Sequence, residues 1–158
     1  VNTMGHEQRR VMDGDAAGLR HDLLIYKLAR MNFVRITQRP VQREVYEMAD
    51  RLGLLVQTDL PLFAYLRRPQ FAEALRQAGE MERHVRAHAS CVLISYINEP
   101  FPAEWGDRSH RHLHRAELLA FFRAADEIVR LHNPDRVIKA VDGDYDAPGP
   151  GLPDNHAY

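Results

Sequence analysis

The sequence predicts an α/β fold in which the strands of a parallel sheet alternate with covering helices. Three observations lead there. The apolar run at residues 91–97 is too short for a helix and reads as a strand buried in a parallel sheet, and residues 32–37, 54–58 and 137–141 are further short β-prone runs. Between them lie longer stretches whose apolar residues recur three and four apart, the spacing of an amphipathic helix. Strand and helix alternate about four times through short links, the pattern of right-handed crossovers between parallel strands.

Residues 1–14 are polar, contain glycine and show no period, so they read as a strand end followed by a loop. Asp15 is a suitable N-cap for a helix of about four turns, with Leu19, Leu23, Tyr26, Leu28 and Met31 on its inner stripe. The β-prone residues 32–37 follow and Pro40 closes them. Val41, Val45, Met48, Ala49 and Leu52 then mark a second helix, with Gly53 where a left-handed C-terminal residue is expected. Residues 54–58 form a buried strand that ends at Asp59 and is broken by Pro61. A long helix over residues 70–88 turns Phe71, Leu75, Ala78, Met81, Val85 and His88 inward. After the central strand, residues 101–114 are a loop rich in Pro, Gly and His. Residues 117–131 are a helix with Leu118, Phe121, Phe122, Ala125, Ile128 and Val129 inward, stopped by Asn133-Pro134. The strand at 137–141 runs into a loop of Asp, Gly and Pro.

Composition removes several function classes. Lys and Arg number 21 against 22 Asp and Glu, which leaves no surplus charge to attract nucleic acid or an anionic membrane. No apolar run approaches the roughly 18 residues of a membrane span, and the N-terminus has no signal-peptide pattern. The single cysteine, Cys91, excludes a disulfide within the chain and is expected to be a small buried hydrophobe.

Length bears on architecture. An eight-stranded barrel takes about 250 residues, so the 158 here would supply its first half or slightly more. A doubly wound open sheet fits the length better, but the sequence lacks the Gly-rich strand-to-helix turn of its dinucleotide-binding form. Both ends read as cut, and residues 1–158 are expected to be a fragment of a larger domain.

Polar side chains recur where successive strands end: Arg35 and Gln38, then Asp59, then Asn98 and Glu99, then Asp142. In a barrel those ends converge on one mouth, where active sites lie. Continuing the central strand through Glu99 would bury an ionised carboxylate, which is too costly without a partner, so Asn98-Glu99 is expected at the strand's open end. Beside Pro100 and a loop containing Phe101 and Trp105, Glu99 would be partly desolvated, an environment that suits a general acid. Asn98 could donate to a sugar hydroxyl. Glycoside hydrolysis needs two carboxyls, and the second is not obvious, since Asp59 is as suited to binding hydroxyls as to attacking carbon.

Three motifs in order carry a family resemblance: Met31-Asn32-Phe33-Val34-Arg35, then Tyr46-Glu47-Met48-Ala49-Asp50-Arg51-Leu52-Gly53-Leu54-Leu55-Val56, then a strand ending in Asn98-Glu99. Together they resemble the catalytic barrel of family 2 glycoside hydrolases, the β-galactosidase, β-glucuronidase and β-mannosidase group, over residues 1 to 140. Gln57-Thr58-Asp59-Leu60-Pro61-Leu62 is most similar to the β-mannosidase-like members. The resemblance implies a (β/α)8 TIM barrel, of which this chain is roughly the first half, about four to five βα units. It implies that Glu99 is the acid/base of a retaining double displacement and that Asn98 holds the hydroxyl next to the reacting carbon. Arg35 would orient the carboxylates and Asp59 would contact the sugar. The resemblance also has His156 and Tyr158 line the mouth; Trp105, six residues beyond Glu99, could either stack on a sugar ring or anchor its loop on the rim. The family's nucleophile is a Glu on a later strand, beyond residue 158. Where many members have Ser-His-Tyr-Pro, this chain has Thr37-Gln38-Arg39-Pro40, so Gln38 would replace a sugar-contacting His. A Trp that usually precedes the Gln-Asp stretch is missing at Val56-Gln57-Thr58-Asp59. The implied partner is a β-glycoside, with no cofactor.

Weaker signals read as structure. His110, His112 and His114 alternate, but the Arg residues between them oppose a cation, and a solvated loop is the expectation. Asp142, Asp144 and Asp146 begin like a calcium loop, but Ala147 and Pro153 stand where Gly and Glu are required. Met31, Met48 and Met81 are expected as core filler and Arg67-Arg68 as solvated surface. Two rivals to a glycosidase are a non-catalytic sugar-binding barrel and a half-barrel that associates with itself or with the remainder of a barrel.

Overall fold

The computed structural model describes residues 1–100 and 112–143. Within them β1 (Asn2–Thr3), β2 (Phe33–Ile36), β3 (Leu55–Asp59), β4 (Cys91–Asn98) and β5 (Val137–Asp142) lie side by side in chain order, every neighbouring pair parallel. A doubly wound sheet reverses its strand order at a switch point, and this one never reverses. The chain is therefore an α/β protein with the architecture of part of a (β/α)8 barrel.

The connections hold α1 (His6–Met12), α2 (Ala16–Leu28), α3 (Arg43–Leu52), α4 (Phe71–Val85, entered through a 3-10 turn at Arg68–Gln70) and α5 (Arg115–His132). Asp15 caps α2 as expected, its side chain accepting from the Gly18 amide at 2.8 Å. Gly53 ends α3 with φ 64°, where a side chain would be strained. At α5 the Glu117 carboxylate accepts from the His114 amide at 2.8 Å, which satisfies a donor at the helix start.

One apolar core lies between the sheet and its helices. Val34, Ile36, Val56, Ile94 and Tyr96 from the strands join Leu19, Leu23, Val45, Ala49, Ala78, Met81, Val85, Phe121 and Val129 from the helices. Each large side chain buried there contributes on the order of 1.5–3 kcal/mol. Tyr96 stacks on Phe122 at 6.3 Å and donates its hydroxyl to Asp126 at 2.8 Å, so β4 is locked to α5 by packing and by a polar bond. Cys91 is 2% exposed, as its sequence setting predicts.

The fold departs from the sequence reading in identifiable places. Residues expected to be a loop contain α1, which has no apolar stripe because a polar group holds it down. Glu7 is buried and accepts from Thr3 Oγ1 at 2.6 Å and from the Tyr26 hydroxyl at 3.0 Å. Leu28 and Met31, expected inward, are 82% and 43% exposed because α2 stops at Leu28 and the chain turns away through Arg30 at φ 60°. Met31 is thus not core filler, whereas Met81 is. Arg68 is not free surface: its guanidinium meets Glu117 of α5 through bonds of 3.0 and 2.7 Å. Glu82 sits on the buried side of α4 because Arg136 reaches it from the entry to β5 with two bonds of 2.8 and 2.9 Å.

Candidate functional site

Because all strands run the same way, their C-terminal ends share one rim, and that rim carries a charged network. Its centre is Arg35 on β2, 5% exposed. The guanidinium donates to Asp59 Oδ2 from Nε at 3.0 Å and from Nη2 at 2.6 Å, and from Nη2 to Asn98 Oδ1 at 2.6 Å. Its Nε also lies 3.3 Å from Asp142 Oδ2. One side chain thus ties the ends of β3, β4 and β5 to β2.

Strand register explains how these residues meet. Arg35 is level with Gln57, Asp59 with Ser95 and Lys139, and Asn98 with Asp142. Gln57 stands two residues before Asp59, on the same face of the strand, and its Nε2 donates to Asp59 Oδ1 at 3.0 Å and to Asp142 Oδ2. Lys139 Nζ donates to Asp142 Oδ1 at 2.7 Å. Two cations, Arg35 and Lys139, therefore balance two buried carboxylates, Asp59 and Asp142. A buried ion pair is a poor source of net stability, because desolvation consumes most of the attraction, but it fixes geometry firmly.

Asn98 shows what that geometry does. Its Oδ1 is spent on Arg35, which leaves the two amide N–H donors as its remaining capacity. Asp59 is fully buried, and its oxygens are engaged by Arg35, Gln57 and the Gln38 amide at 3.2 Å. Behind it, the Tyr46 hydroxyl pairs with Thr58 Oγ1 at 2.9 Å, and burial pushes that phenol well above its ordinary 10.0.

Glu99 follows β4 directly, with φ 48°, and its amide donates to the Asp142 carbonyl at 2.6 Å. Gln38, just beyond β2, also has a left-handed backbone, φ 62°. Such conformations cost a non-glycine residue about 1–3 kcal/mol and gather at functional sites. An open depression of about 260 Å³ on the sheet is lined by Asn2, Arg35, Gln57, Lys139 and Asp142.

Of the side chains expected at the site, those of Arg35, Asp59 and Asn98 are brought together on this rim, Gln38 contributes its backbone amide, and Glu99 follows Asn98 with its backbone tied to Asp142. Trp105, His156 and Tyr158 lie outside the described residues. The histidine run does not assemble a metal site among the described residues. His112 stacks on Tyr65 at 4.6 Å, His114 stands at the start of α5, and His110 is outside the described residues. Sequence reasoning misses Gln57 and Lys139 as network members, though Gln57 is legible as a polar residue two positions before Asp59. It also misses the segment after β3, which returns to pair with the end of β4. The Asn98 amide donates to the Leu62 carbonyl and the Ala64 amide to the Asn98 carbonyl, both at 3.0 Å.

The fold is matched by solved structures. β-Glucuronidase 2 of Bacteroides uniformis superimposes with a TM-score of 0.68 at 22% identity, over 80% of this chain and 16% of its own. The β-glucuronidase of Parabacteroides merdae gives 0.68 at 17% identity, over 80% and 16%. A Bacteroides fragilis protein assigned as a β-galactosidase gives 0.60 at 23% identity, over 73% and 16%. The chain thus spans about a sixth of the length of these proteins, and it shares their fold. They belong to the group that the sequence motifs resemble. No protein-family model and no curated protein matches the chain.

Proposed function

We propose that this chain carries the acid/base half of a retaining β-glycosidase site. The observation that bears most weight is the end of β4, where Asn98 is held by Arg35 while Glu99 follows on a strained backbone at the rim. The folds matched by the structure and the family resembled by the sequence support the same reading.

In this proposal Glu99 protonates the glycosidic oxygen as the bond to carbon breaks, then takes a proton from the water that attacks the glycosyl-enzyme. Asn98 donates from its amide to the hydroxyl beside the reacting carbon. Arg35 and Asp59 are positioning residues that act through Asn98 and the Gln38 backbone, since Asp59 has no exposed surface. The retaining reaction needs a second carboxyl about 5–5.5 Å from the first. Asp59 and Asp142 are committed to Arg35, Gln57 and Lys139, and the family that the sequence resembles places its nucleophile, a Glu, on a later strand, which we take to lie beyond residue 158. The 158-residue chain by itself is accordingly expected not to hydrolyse glycosides.

The sugar is a finer proposal. The Gln57–Leu62 stretch points toward β-mannosides, whereas the matched structures are named for β-glucuronides and β-galactosides. Expression of the complete reading frame with a panel of aryl β-glycosides tests both levels. Glu99→Gln is expected to slow glycosides of poor leaving groups by about 100-fold or more, while azide restores turnover of activated ones. Full activity in Glu99→Gln would overturn the proposal.

A further inference from the structure

We propose that Arg68, at the entry to α4, is a positioning residue for the proposed acid, because its ion pair with Glu117 tethers the segment that holds the end of β4; this rests on the glycosidase reading above. Residues 60–67 run from β3 toward α4 outside any helix or named strand, yet they are tied down repeatedly. The Leu60 amide donates to the Ser95 carbonyl at 2.8 Å, the Asn98 amide to the Leu62 carbonyl and the Ala64 amide to the Asn98 carbonyl, the last two at 3.0 Å. Further along, the Leu113 amide donates to the Leu66 carbonyl at 2.8 Å, and Arg67 bridges to His112. Arg68 follows at once, its Nε and Nη2 donating to the two carboxylate oxygens of Glu117 at 3.0 and 2.7 Å. The segment thus grips the end of β4 with its first half and the start of α5 with its second.

The helices do not need this ion pair to stay together. α4 and α5 are already closed up where Gly79 leaves no room for a side chain, an added Cβ lying 2.9 Å from the Ile128 side chain, and where Phe71 meets Phe121 edge-on at 5.6 Å. What the pair adds is a fixed direction at the turn into α4, because a guanidinium bonded to both oxygens of a carboxylate holds an angle as well as a distance. Ala64 shows where that restraint is spent. Its backbone is left-handed, φ 58°, and such a residue stays strained only while the structure on both sides of it holds. The bonds to the Asn98 backbone lie at Leu62 and Ala64 themselves, and the anchors at Leu66, Arg67 and Arg68 lie beyond. Releasing Arg68 lets Ala64 relax, and the backbone of Asn98 loses its fixed place first. Glu99, joined to it, keeps its carboxyl but not its position, and a misplacement of about 1 Å can cost about 100-fold in rate.

The test uses protein from the complete reading frame and the phenyl and dinitrophenyl β-glycosides of galactose, glucuronic acid and mannose. Rates are read as kcat/KM, which counts only the steps up to cleavage of the glycosidic bond. Phenolate needs a proton from the acid as it leaves, whereas dinitrophenolate leaves without one. Arg68→Met is expected to lower kcat/KM about 5- to 20-fold for the phenyl glycosides and less than about 2-fold for the dinitrophenyl ones. Arg68→Lys should recover part of the loss, and the exchanged pair Arg68→Glu with Glu117→Arg most of it. Arg76→Met, which breaks ion pairs with Glu73 and Glu80 that stay within α4, should change neither substrate. Equal losses on the two leaving groups would mark a pair that serves stability alone and would overturn the inference, as would no loss on either. If the unsubstituted protein hydrolyses none of these glycosides, the glycosidase reading fails and this inference with it. If Glu99→Gln behaves as expected while Arg68→Met leaves the ratio of the two rates unmoved, this inference fails alone.

Discussion

Replacing Arg35 by Met keeps most of its volume and removes the charge at the centre of the rim. In the folded chain Asp59 Oδ2 would lose donors at 3.0 and 2.6 Å and keep only the Gln38 amide at 3.2 Å. Asn98 Oδ1 would lose its donor, and Asp142 would lose the cation 3.3 Å away while keeping Lys139. Two buried carboxylates would then face one ammonium. Breaking a buried pair from one side costs about 3–5 kcal/mol, because the surviving charge stays desolvated. With a urea slope of about 2 kcal/mol per molar, the unfolding midpoint should fall by about 2 M. Adding Asp59→Asn to the Arg35→Met variant should restore part of the loss, giving a coupling of about 1–3 kcal/mol in the double-mutant cycle. Circular dichroism in urea reads all four proteins. Stability of Arg35→Met within about 1 kcal/mol of the parent, or additive effects in the cycle, would refute the claim that this network is desolvated and mutually dependent.

Two further outcomes are expected. The hydrogen bond from Arg10 holds the Asp22 carboxyl below its ordinary 3.8, and that from Arg68 holds Glu117 below 4.5, so the stability they contribute is present above those values and lost as pH falls through the lowered ones. The urea midpoint should therefore drop below about pH 4, and Asp22→Asn should flatten that drop; an unchanged slope would show that the Arg10 bond does not persist in solution. Burial pushes the Cys91 thiol up to about 11, so native protein should react with iodoacetamide only as it unfolds, with the labelling rate following urea concentration. Prompt labelling of folded protein would place Cys91 nearer the surface than its 2% exposure allows.

Most of the sheet is legible because its strands are short β-prone runs set between amphipathic helices, and Leu55–Asp59 and Cys91–Asn98 lie within a residue of their predicted bounds. What stays illegible depends on polar partners distant in sequence. α1 is anchored by Glu7 against Thr3 and Tyr26, and the inward Glu82 by Arg136, 54 residues away. Neither leaves a hydrophobic period. Leu28 and Met31 mislead in the opposite direction, because a stripe continues in sequence past the point where the helix has ended. At the rim, strand ends can be named one by one, but that Arg35 bridges three of them depends on register, which a single sequence does not specify.

Local backbone preference fails at related places, and that pattern bears on function. Four non-glycine residues among those described are left-handed: Arg30, Gln38, Ala64 and Glu99. Arg30 follows a helix end, but Gln38, Ala64 and Glu99 occupy the segments leaving β2, β3 and β4. Glycine would relieve each of these positions, as Gly53 does behind α3. At Gln38 the turned backbone aims its amide at Asp59, at Ala64 it carries the chain back onto Asn98, and at Glu99 it sets an amide on the Asp142 carbonyl. All three deviations converge on the groups around Arg35. Strain spread over three successive strand exits, and tied to one buried cation, fits the ligand-binding rim that we propose.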